Sequence, residues 1–175
     1  MTFCSNCGSK LTQGIPELDN RLRHICPNCH TIHYENPKIV TGILPYWEDE
    51  ILLCKRAIEP RKGYWTLPSG FMENNESVEE GALREAQEEA NLDLTLQHLH
   101  TLYSIPHISQ VYILFLGKLN SLDYKPGPET DKIERFKASK IPWNNIAFKP
   151  VTFALEKYIE NPTETLTHRS TLNRS

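Results

Sequence analysis

Three glutamates in the middle of the chain, Glu85, Glu88 and Glu89, are spaced i, i+3 and i+4. At about 100° of rotation per residue, these positions share one face of a helix. Three carboxylates held together repel one another unless a cation joins them. Hard oxygen ligands in that number suit Mg²⁺ or Mn²⁺, which in turn attract phosphate. The spacing therefore indicates a divalent-cation site, and the alternative is a solvated acidic helix face.

The helix that must position these glutamates is marked at both ends. Ser77 and Glu80 form the S-x-x-E pattern of a capping box at its start. Asn91 stands at its end, where a left-handed residue is needed and Asn is the best choice after Gly. Apolar positions about 120° away from the glutamates are expected to face a core, and they are Ala82, Leu83, Ala86 and Ala90.

The same stretch resembles the Nudix box, G-x5-E-x7-R-E-U-x-E-E-x-G-U, in which U is apolar. The residues in place are Gly70, Glu76, Arg84, Glu85, Ala86, Glu88, Glu89 and Leu92. The one departure is Asn91, where the box has glycine, and this change affects the helix cap more than the chemistry.

This resemblance implies roles for the box residues. The three glutamates would bind Mg²⁺ or Mn²⁺, with the Gly70 carbonyl as a further ligand. Such a site neutralises charge at phosphorus and lowers the pKa of an attacking water. Arg84, expected on another face from Glu85, would pair with Glu76 and fix the preceding loop against the helix.

Four of the five cysteines form two C-x2-C pairs near the N-terminus, Cys4 with Cys7 and Cys26 with Cys29. This spacing is typical of a Cys₄ zinc ribbon, and the alternative is a pair of disulfides. A closed shell of four thiolates leaves no open coordination position, so we expect structural Zn²⁺. The three nearby histidines are expected to be neighbours of the site and not ligands.

Length and composition bound the fold and the cellular setting. The 175 residues have room for one ordinary domain and a small module, and 39% hydrophobic content supports a packed core. A formal charge of −3 disfavours nucleic acid as a partner. No apolar run approaches the length of a membrane span, and no secretory signal is visible, so a cytoplasmic protein is expected. A chain that had lost a targeting peptide would look the same.

The order of apolar runs predicts mixed α/β structure. We predict strands over 38–45, 50–56, 93–103, 111–119 and 134–137, a turn at 46–49, and a last helix over 150–159. The Nudix resemblance implies an α/β/α sandwich. The predicted organisation is a zinc ribbon over 1–36, a Nudix domain over 37–160 and a polar tail over 161–175, which we expect to be frayed.

Other residues are candidates for substrate contacts. Arg56 follows a strand near the expected metal face, where its guanidinium would hold a diphosphate; Arg61 and Lys62 follow it, and surface solvation is the alternative for all three.

In the family the general base is either a box glutamate or one on a later loop. Glu129 is our candidate there and Glu134 the second, and either is equally consistent with a solvated loop acid. The aromatic candidates for stacking on a ring, which core packing explains as well, are Tyr46, Trp47 and Tyr112.

Further stretches bear on the substrate: YENPKIV at 34–40, ILLCKRAIEP at 51–60, WTLP at 65–68, QVY at 110–112, GPE at 127–129 and IPW at 141–143. They resemble a group of zinc-ribbon Nudix proteins that includes plant FAD and ADP-ribose pyrophosphatases. That resemblance implies cleavage of a nucleoside diphosphate linked to another group: FAD to FMN and AMP, or ADP-ribose to AMP and ribose phosphate. The alternative is an NADH pyrophosphatase, whose segment S-Q-P-W-P-F-P after the box is absent here.

Two rival functions belong to other classes. A non-catalytic ligand sensor or binding module would explain the ribbon, although the complete glutamate set speaks against a degenerate site. Hydrolysis of an NTP or of capped RNA is the other rival, and the RNA version predicts a clustered basic stretch that is absent from the sequence. Relatives also lead us to expect a homodimer.

Overall fold

The computed structural model describes residues 1–173, which divide into two compact units, Met1–Pro37 and a larger one that begins at Lys38. Among these residues, no helix has the length and apolar character needed to span a membrane. The elements in chain order are β1 (Thr12–Gly14), β2 (Arg23–Ile25), β3 (Ile32–His33), β4 (Lys38–Trp47), β5 (Glu50–Arg56), β6 (Trp65–Thr66), β7 (Ser69–Phe71), α1 (Val78–Ala90), β8 (Leu94–Ile105), β9 (Gln110–Leu119), β10 (Thr130–Lys137), α2 (Lys149–Glu160) and β11 (His168–Thr171). Single 3₁₀ turns lie at Pro106–Ile108, Ala138–Lys140 and Trp143–Asn145.

The first unit contains a small antiparallel sheet in the order β1-β2-β3. Its strands are only two or three residues long and partly exposed, so they bury little apolar surface. A unit of this size depends on a metal or on disulfides for its stability.

The larger unit is built on one mixed sheet. Its strand order is β10-β5-β4-β9-β8-β11, with β6 and β7 pairing β5 and β4. Strands β4 and β9 run parallel from Lys38↔Gln110 to Tyr46↔Lys118, whereas β8 and β9 are antiparallel. Strand β4 pairs β5 only at Tyr46 and Trp47, and its residues 40–42 pair β7 instead. This change of partner places β7 beside the middle of the sheet, next to α1.

Two layers of core cover the two faces of this sheet. Ile43 of β4 packs in one cluster with Ala82 and Ala86 of α1. The next residue, Leu44, packs in the other cluster with Val151 of α2. Because successive side chains of a strand point to opposite faces, one helix covers each face. The expected α/β/α sandwich is therefore confirmed.

Helix α1 has the ends that its sequence predicts. The Ser77 hydroxyl accepts a hydrogen bond from the Glu80 N–H at 3.2 Å, and the Glu80 carboxylate accepts one from the Ser77 N–H at 2.7 Å. Asn91 is left-handed, with φ 51° and ψ 45°. The prediction that Leu83 faces the core is wrong, because it is 40% exposed beside the stripe that packs on the sheet. Small side chains fill that stripe: Ala82, Ala86 and Ala90.

Strand ends differ from the predictions where pairing decides them. Strand β4 continues to Trp47, so the β4–β5 turn shrinks to Glu48 and Asp49, and Glu48 has φ 52°. A two-residue hairpin turn of this kind needs positive φ. Strand β10 begins at Thr130, four residues before the predicted start, because it pairs β5 along that strand's whole length.

The prediction that the polar tail is frayed is wrong over β11. His168–Thr171 pairs in parallel with Thr101–Ser104 of β8. Without β11, this side of β8 would be an open edge with unpaired backbone groups, which is why a polar segment is ordered there. Residues 174 and 175 of the predicted tail lie outside the described residues.

Candidate active site

The three box glutamates differ in their surroundings. Glu89 is buried, with 7% of its surface exposed, whereas the Glu88 side chain is 60% exposed. Burial raises the pKa of Glu85 and raises the pKa of Glu89 to about 8. Glu89 accepts a hydrogen bond from the Ser69 N–H at 3.1 Å, but it forms no ion pair among the described residues. A buried carboxylate without a cationic partner is costly, and this donor set fits a divalent cation.

Strand β7 presents its backbone to the Glu85 carboxylate. Gly70 lies on β7 opposite Thr41 of β4. A Cβ at Gly70 would lie 2.4 Å from Glu85 Oε1, so only glycine lets the carboxylate approach this backbone. The structure therefore brings Gly70 beside the glutamates, which agrees with a further oxygen ligand at that position.

Arg84 is the cation at the centre of this group. Its Nε and Nη2 donate to the two Glu76 oxygens at 3.0 and 2.8 Å. Its Nη1 donates to Glu85 at 2.7 Å and to Glu88 at 3.1 Å. The expected Arg84–Glu76 pair is present. The expectation that Arg84 points away from the glutamates is wrong, because its long side chain spans the angle between adjacent helix positions.

A cavity of about 1110 Å³ lies in front of α1 and the sheet. The three box glutamates line it together with Gly70, Arg84, Arg56 and Glu129. Glu76 is absent from its lining and forms its ion pair with Arg84, which does line the cavity. One cavity thus collects residues that are more than 70 positions apart in the sequence.

Arg56 enters this cavity from the end of β5. Its Nε donates to the Pro60 carbonyl at 2.8 Å, and its guanidinium carbon lies 5.2 Å from the centre of the Phe148 ring. Its positive charge also lowers the pKa of Glu89, although burial outweighs that effect. Arg61 lines the cavity as well, and Lys62 does not.

The two candidates for the general base, Glu129 and Glu134, have separate surroundings. Glu129 lines the cavity, and its negative charge raises the pKa of both Glu85 and Glu89. Its carbonyl accepts a hydrogen bond from the Ala57 N–H at 2.8 Å, which ties its loop to the end of β5. Glu134 lies on β10, where it forms an ion pair with Lys132, and it does not line the cavity.

The four cysteines of the first unit form one cluster. Their sulfur atoms all lie within 4.8 Å of one another, and all five cysteines of the chain are free. The two turns are alike: the Gly8 N–H donates to the Cys4 carbonyl at 2.9 Å and the His30 N–H donates to the Cys26 carbonyl at 3.0 Å. The Thr31 hydroxyl beside Cys29 is the main reason that the pKa of this thiol falls to about 5. The disulfide alternative is wrong, and the cluster has the form of a zinc ribbon.

Comparison with known families agrees with this geometry. The NUDIX domain model matches residues 36–158. The chain belongs to the Nudix family of pyrophosphohydrolases. A second model, a zinc ribbon described as Nudix N-terminal, matches residues 2–35.

Two named activities occur among the relatives of this Nudix chain. It is 31% identical to an ADP-ribose pyrophosphatase of Methanocaldococcus jannaschii over 62% of this chain and 67% of that protein. It is 27% identical to the NAD-capped RNA hydrolase NudC of Photorhabdus laumondii over 73% of this chain. The chain spans about half the length of that relative, 48%.

A solved structure extends the likeness to the whole Nudix chain. A NUDIX hydrolase from Nitrosomonas europaea has a TM-score of 0.95 and 49% identity, covering 99% of this chain and 100% of that one. An ADP-ribose pyrophosphatase from Streptococcus suis, with a TM-score of 0.63 and 23% identity, shares the fold.

Several residues around the Nudix box escaped sequence reasoning. Phe148, which lies against Arg56, carries no motif signal, and Leu172 lies in a segment expected to be frayed. Ser69 acts through its backbone N–H, which any residue except proline would supply. Of the three aromatic stacking candidates, Tyr112 lines the cavity, and Tyr46 and Trp47 do not.

Proposed function

We propose that this chain is a divalent-metal-dependent hydrolase that cleaves the diphosphate bond of a nucleoside diphosphate linked to another group, with ADP-ribose and FAD as favoured substrates. The main support for this proposal is that one cavity of about 1110 Å³ is lined by the box glutamates, Arg56 and Glu129. Pockets for small ligands are commonly about 300–1,000 Å³, so this cavity suits a substrate with two large halves. The similarity to the archaeal ADP-ribose pyrophosphatase supports the same substrate class.

The cation, Mg²⁺ or Mn²⁺, would be held by Glu85, Glu88 and Glu89 with the Gly70 carbonyl. When bound, it neutralises charge on the diphosphate and lowers the pKa of the attacking water. Binding of a cation by Glu85 and Glu88 competes with their contacts to Arg84 Nη1. Nε and Nη2 hold Glu76 independently of those contacts, so the Arg84–Glu76 pair can keep positioning the helix.

The remaining roles belong to side chains of the cavity. Arg56 binds the diphosphate, since its Nη atoms are not used in the bond to Pro60. Glu129 is the proposed general base and accepts a proton from the water whose oxygen attacks phosphorus. The bridging P–O bond breaks, and the leaving phosphate keeps its electron pair. The products are AMP with ribose phosphate from ADP-ribose, or AMP with FMN from FAD.

NADH or an NAD-capped RNA end is the second candidate substrate. Similarity to the NudC protein of Photorhabdus laumondii favours it. Both candidates share a diphosphate between two nucleoside-like halves, so the same glutamates would act on either. The absent segment S-Q-P-W-P-F-P argues for ADP-ribose and FAD.

A product-resolved screen tests this proposal. The protein is assayed with Mg²⁺ and with Mn²⁺ on ADP-ribose, FAD, NADH, NAD⁺, dinucleoside polyphosphates, NTPs and an NAD-capped RNA. We expect AMP with ribose phosphate, or AMP with FMN, at the highest kcat/KM. Faster turnover of NADH or the capped RNA would transfer the assignment to the second candidate. Absence of turnover in folded, zinc-replete protein would point to the ligand-sensor alternative.

Three further expectations are part of the proposal. We propose structural Zn²⁺ in the cysteine cluster, because four thiolates within 4.8 Å leave no open ligand position. We also propose a homodimer, to be tested by light scattering on purified protein, and a cytoplasmic location, to be tested by fractionation.

A further inference from the structure

Strand β11 lies beyond residue 158, where the match to the NUDIX domain model ends. It adds to β8 by parallel pairing from His168↔Thr101 to Thr171↔Ser104. The Leu172 N–H continues the ladder by donating to the Ser104 carbonyl at 2.9 Å. Before the strand, the Thr167 hydroxyl donates to the Leu99 carbonyl at 2.9 Å. These bonds fix the position of Leu172.

Leu172 packs on an apolar cluster at this end of the sheet. The cluster consists of Val40, Tyr103, Ile105 and Tyr112, with Phe153 beside it. Val40, Ile105 and Tyr112 line the same cavity as the box glutamates, and so does Leu172. The cavity therefore has an acidic and cationic part at α1 and an apolar part that β11 completes.

We infer that Leu172, held by β11, is a specificity-determining residue that forms an apolar wall against a planar ring of the substrate. This inference rests on the proposed function, because it assigns part of that same cavity. The diphosphate must lie near the glutamates and Arg56, so a ring linked to it extends into the remaining volume. Contact with Leu172 and Tyr112 removes the apolar face of a ring from water and so favours binding. Sugar hydroxyls and phosphates would lose hydration there, which disfavours their binding at this wall.

The test compares Leu172→Ala with Leu166→Ala in the full chain. Leu166 lies in the same segment, is 63% exposed and does not line the cavity, so it is a matched control. We expect Leu172→Ala to raise KM by about tenfold, either for both FAD and ADP-ribose or for FAD alone, and to leave kcat within about twofold, as loss of uniform binding does. Leu166→Ala should match the wild type. An equal rise for both substrates assigns Leu172 to the shared adenosine half, and a rise for FAD alone assigns it to the flavin half.

Equilibrium binding of ADP-ribose and FAD, measured by titration calorimetry without added divalent cation, tests the apolar wall separately from the proposed hydrolase activity. If the wild type turns over neither compound, the proposed function fails, and a dissociation constant about tenfold weaker in Leu172→Ala still supports the wall. Equal KM and equal dissociation constants in Leu172→Ala and the wild type overturn the inference while the proposed function stands. A wild type that neither binds nor hydrolyses either compound overturns both.

Discussion

The Arg84 guanidinium holds the Glu76 carboxylate by two parallel hydrogen bonds, from Nε at 3.0 Å and from Nη2 at 2.8 Å. Arg84 is the main reason that the pKa of Glu76 falls to about 2. The same Glu76 accepts a hydrogen bond from the Glu73 N–H at 2.7 Å, and Nη2 also donates to the Phe71 carbonyl at 3.2 Å. One ion pair thus ties the loop between β7 and α1 to the helix that carries the glutamates.

Replacing Arg84 by Lys should separate charge from geometry at this pair. Lysine keeps the positive charge but lacks the planar fork. We expect kcat for ADP-ribose to fall on the order of 10- to 100-fold, because small misplacements of reacting groups are costly. Unfolding free energy should fall by about 1–3 kcal/mol, since charge-assisted hydrogen bonds are lost.

Steady-state kinetics and urea denaturation measure these two effects. Arg169→Lys is the control, because Arg169 is exposed on β11. A kcat in Arg84→Lys equal to that of the control would show that the fork does not position the glutamates.

Glu89→Gln should lose activity without losing stability. The amide oxygen can still accept the Ser69 N–H, and a buried charge is removed. We expect unfolding free energy to stay level or rise by about 1 kcal/mol, as active-site replacements often show. We expect kcat to fall by at least about 100-fold, because loss of one oriented electrostatic group costs that much.

Turnover with Mg²⁺ and thermal unfolding are compared with Glu79→Gln, an exposed position of the same helix. Glu88→Gln should lose activity in the same way. If both active-site variants turn over at the rate of the Glu79 control, the assignment of the glutamates to the metal site fails.

The ribbon should hold about one zinc ion per chain after dialysis, as a closed Cys₄ site does. Cys29→Ser removes one of the four clustered ligands and should lower the zinc content well below that of the wild type. Elemental analysis by mass spectrometry gives the metal ratio. Cys54→Ala is the control, since Cys54 lies buried in β5 and outside the cluster. Equal zinc in the two variants would refute the site.

His100 should make the fold sensitive to mild acid. It is buried on β8, its Nε2 donates to the Ala154 carbonyl at 2.9 Å, and its Nδ1 has no hydrogen-bond partner within residues 1–173. Burial lowers its pKa, and the charges of His168 and His98 lower it further. The hydrogen bond to Ala154 and the charge of Glu164 oppose this lowering without cancelling it.

The direction in which stability changes with pH follows from proton binding by His100. Below a pH of about 6.5, the unfolded chain binds a proton at this residue that the folded chain does not. The free energy of unfolding therefore decreases as the pH is lowered, until the pH passes the lower pKa of the folded state. The slope from one such proton is at most about 1.4 kcal/mol per pH unit. His100→Gln should flatten the urea-midpoint profile between pH 8 and 5.5, and the exposed control His107→Gln should not. Identical slopes in the two variants would contradict the prediction.

Local chemistry was readable from the sequence because it depends on neighbours along the chain. The capping box at Ser77 and Glu80 and the left-handed cap at Asn91 each involve residues within one helix. The shared face of Glu85, Glu88 and Glu89 follows from helical rotation alone. Each C-x2-C pair likewise lies within one short turn, so its spacing depends only on neighbouring residues.

Only the tertiary structure determines which segments distant in the sequence come together at the site and which side chains this contact buries. Glu89 is buried beside Ser69 of β7, whereas Glu88 stays exposed to water. The helical periodicity of the sequence does not indicate which of the two is buried. The sequence makes both Glu129 and Glu134 candidates for the general base, but of the two only Glu129 faces the cavity once β10 has paired with β5. The tail has polar composition, so only the open edge of β8, visible after folding, orders it and brings Leu172 to the cavity.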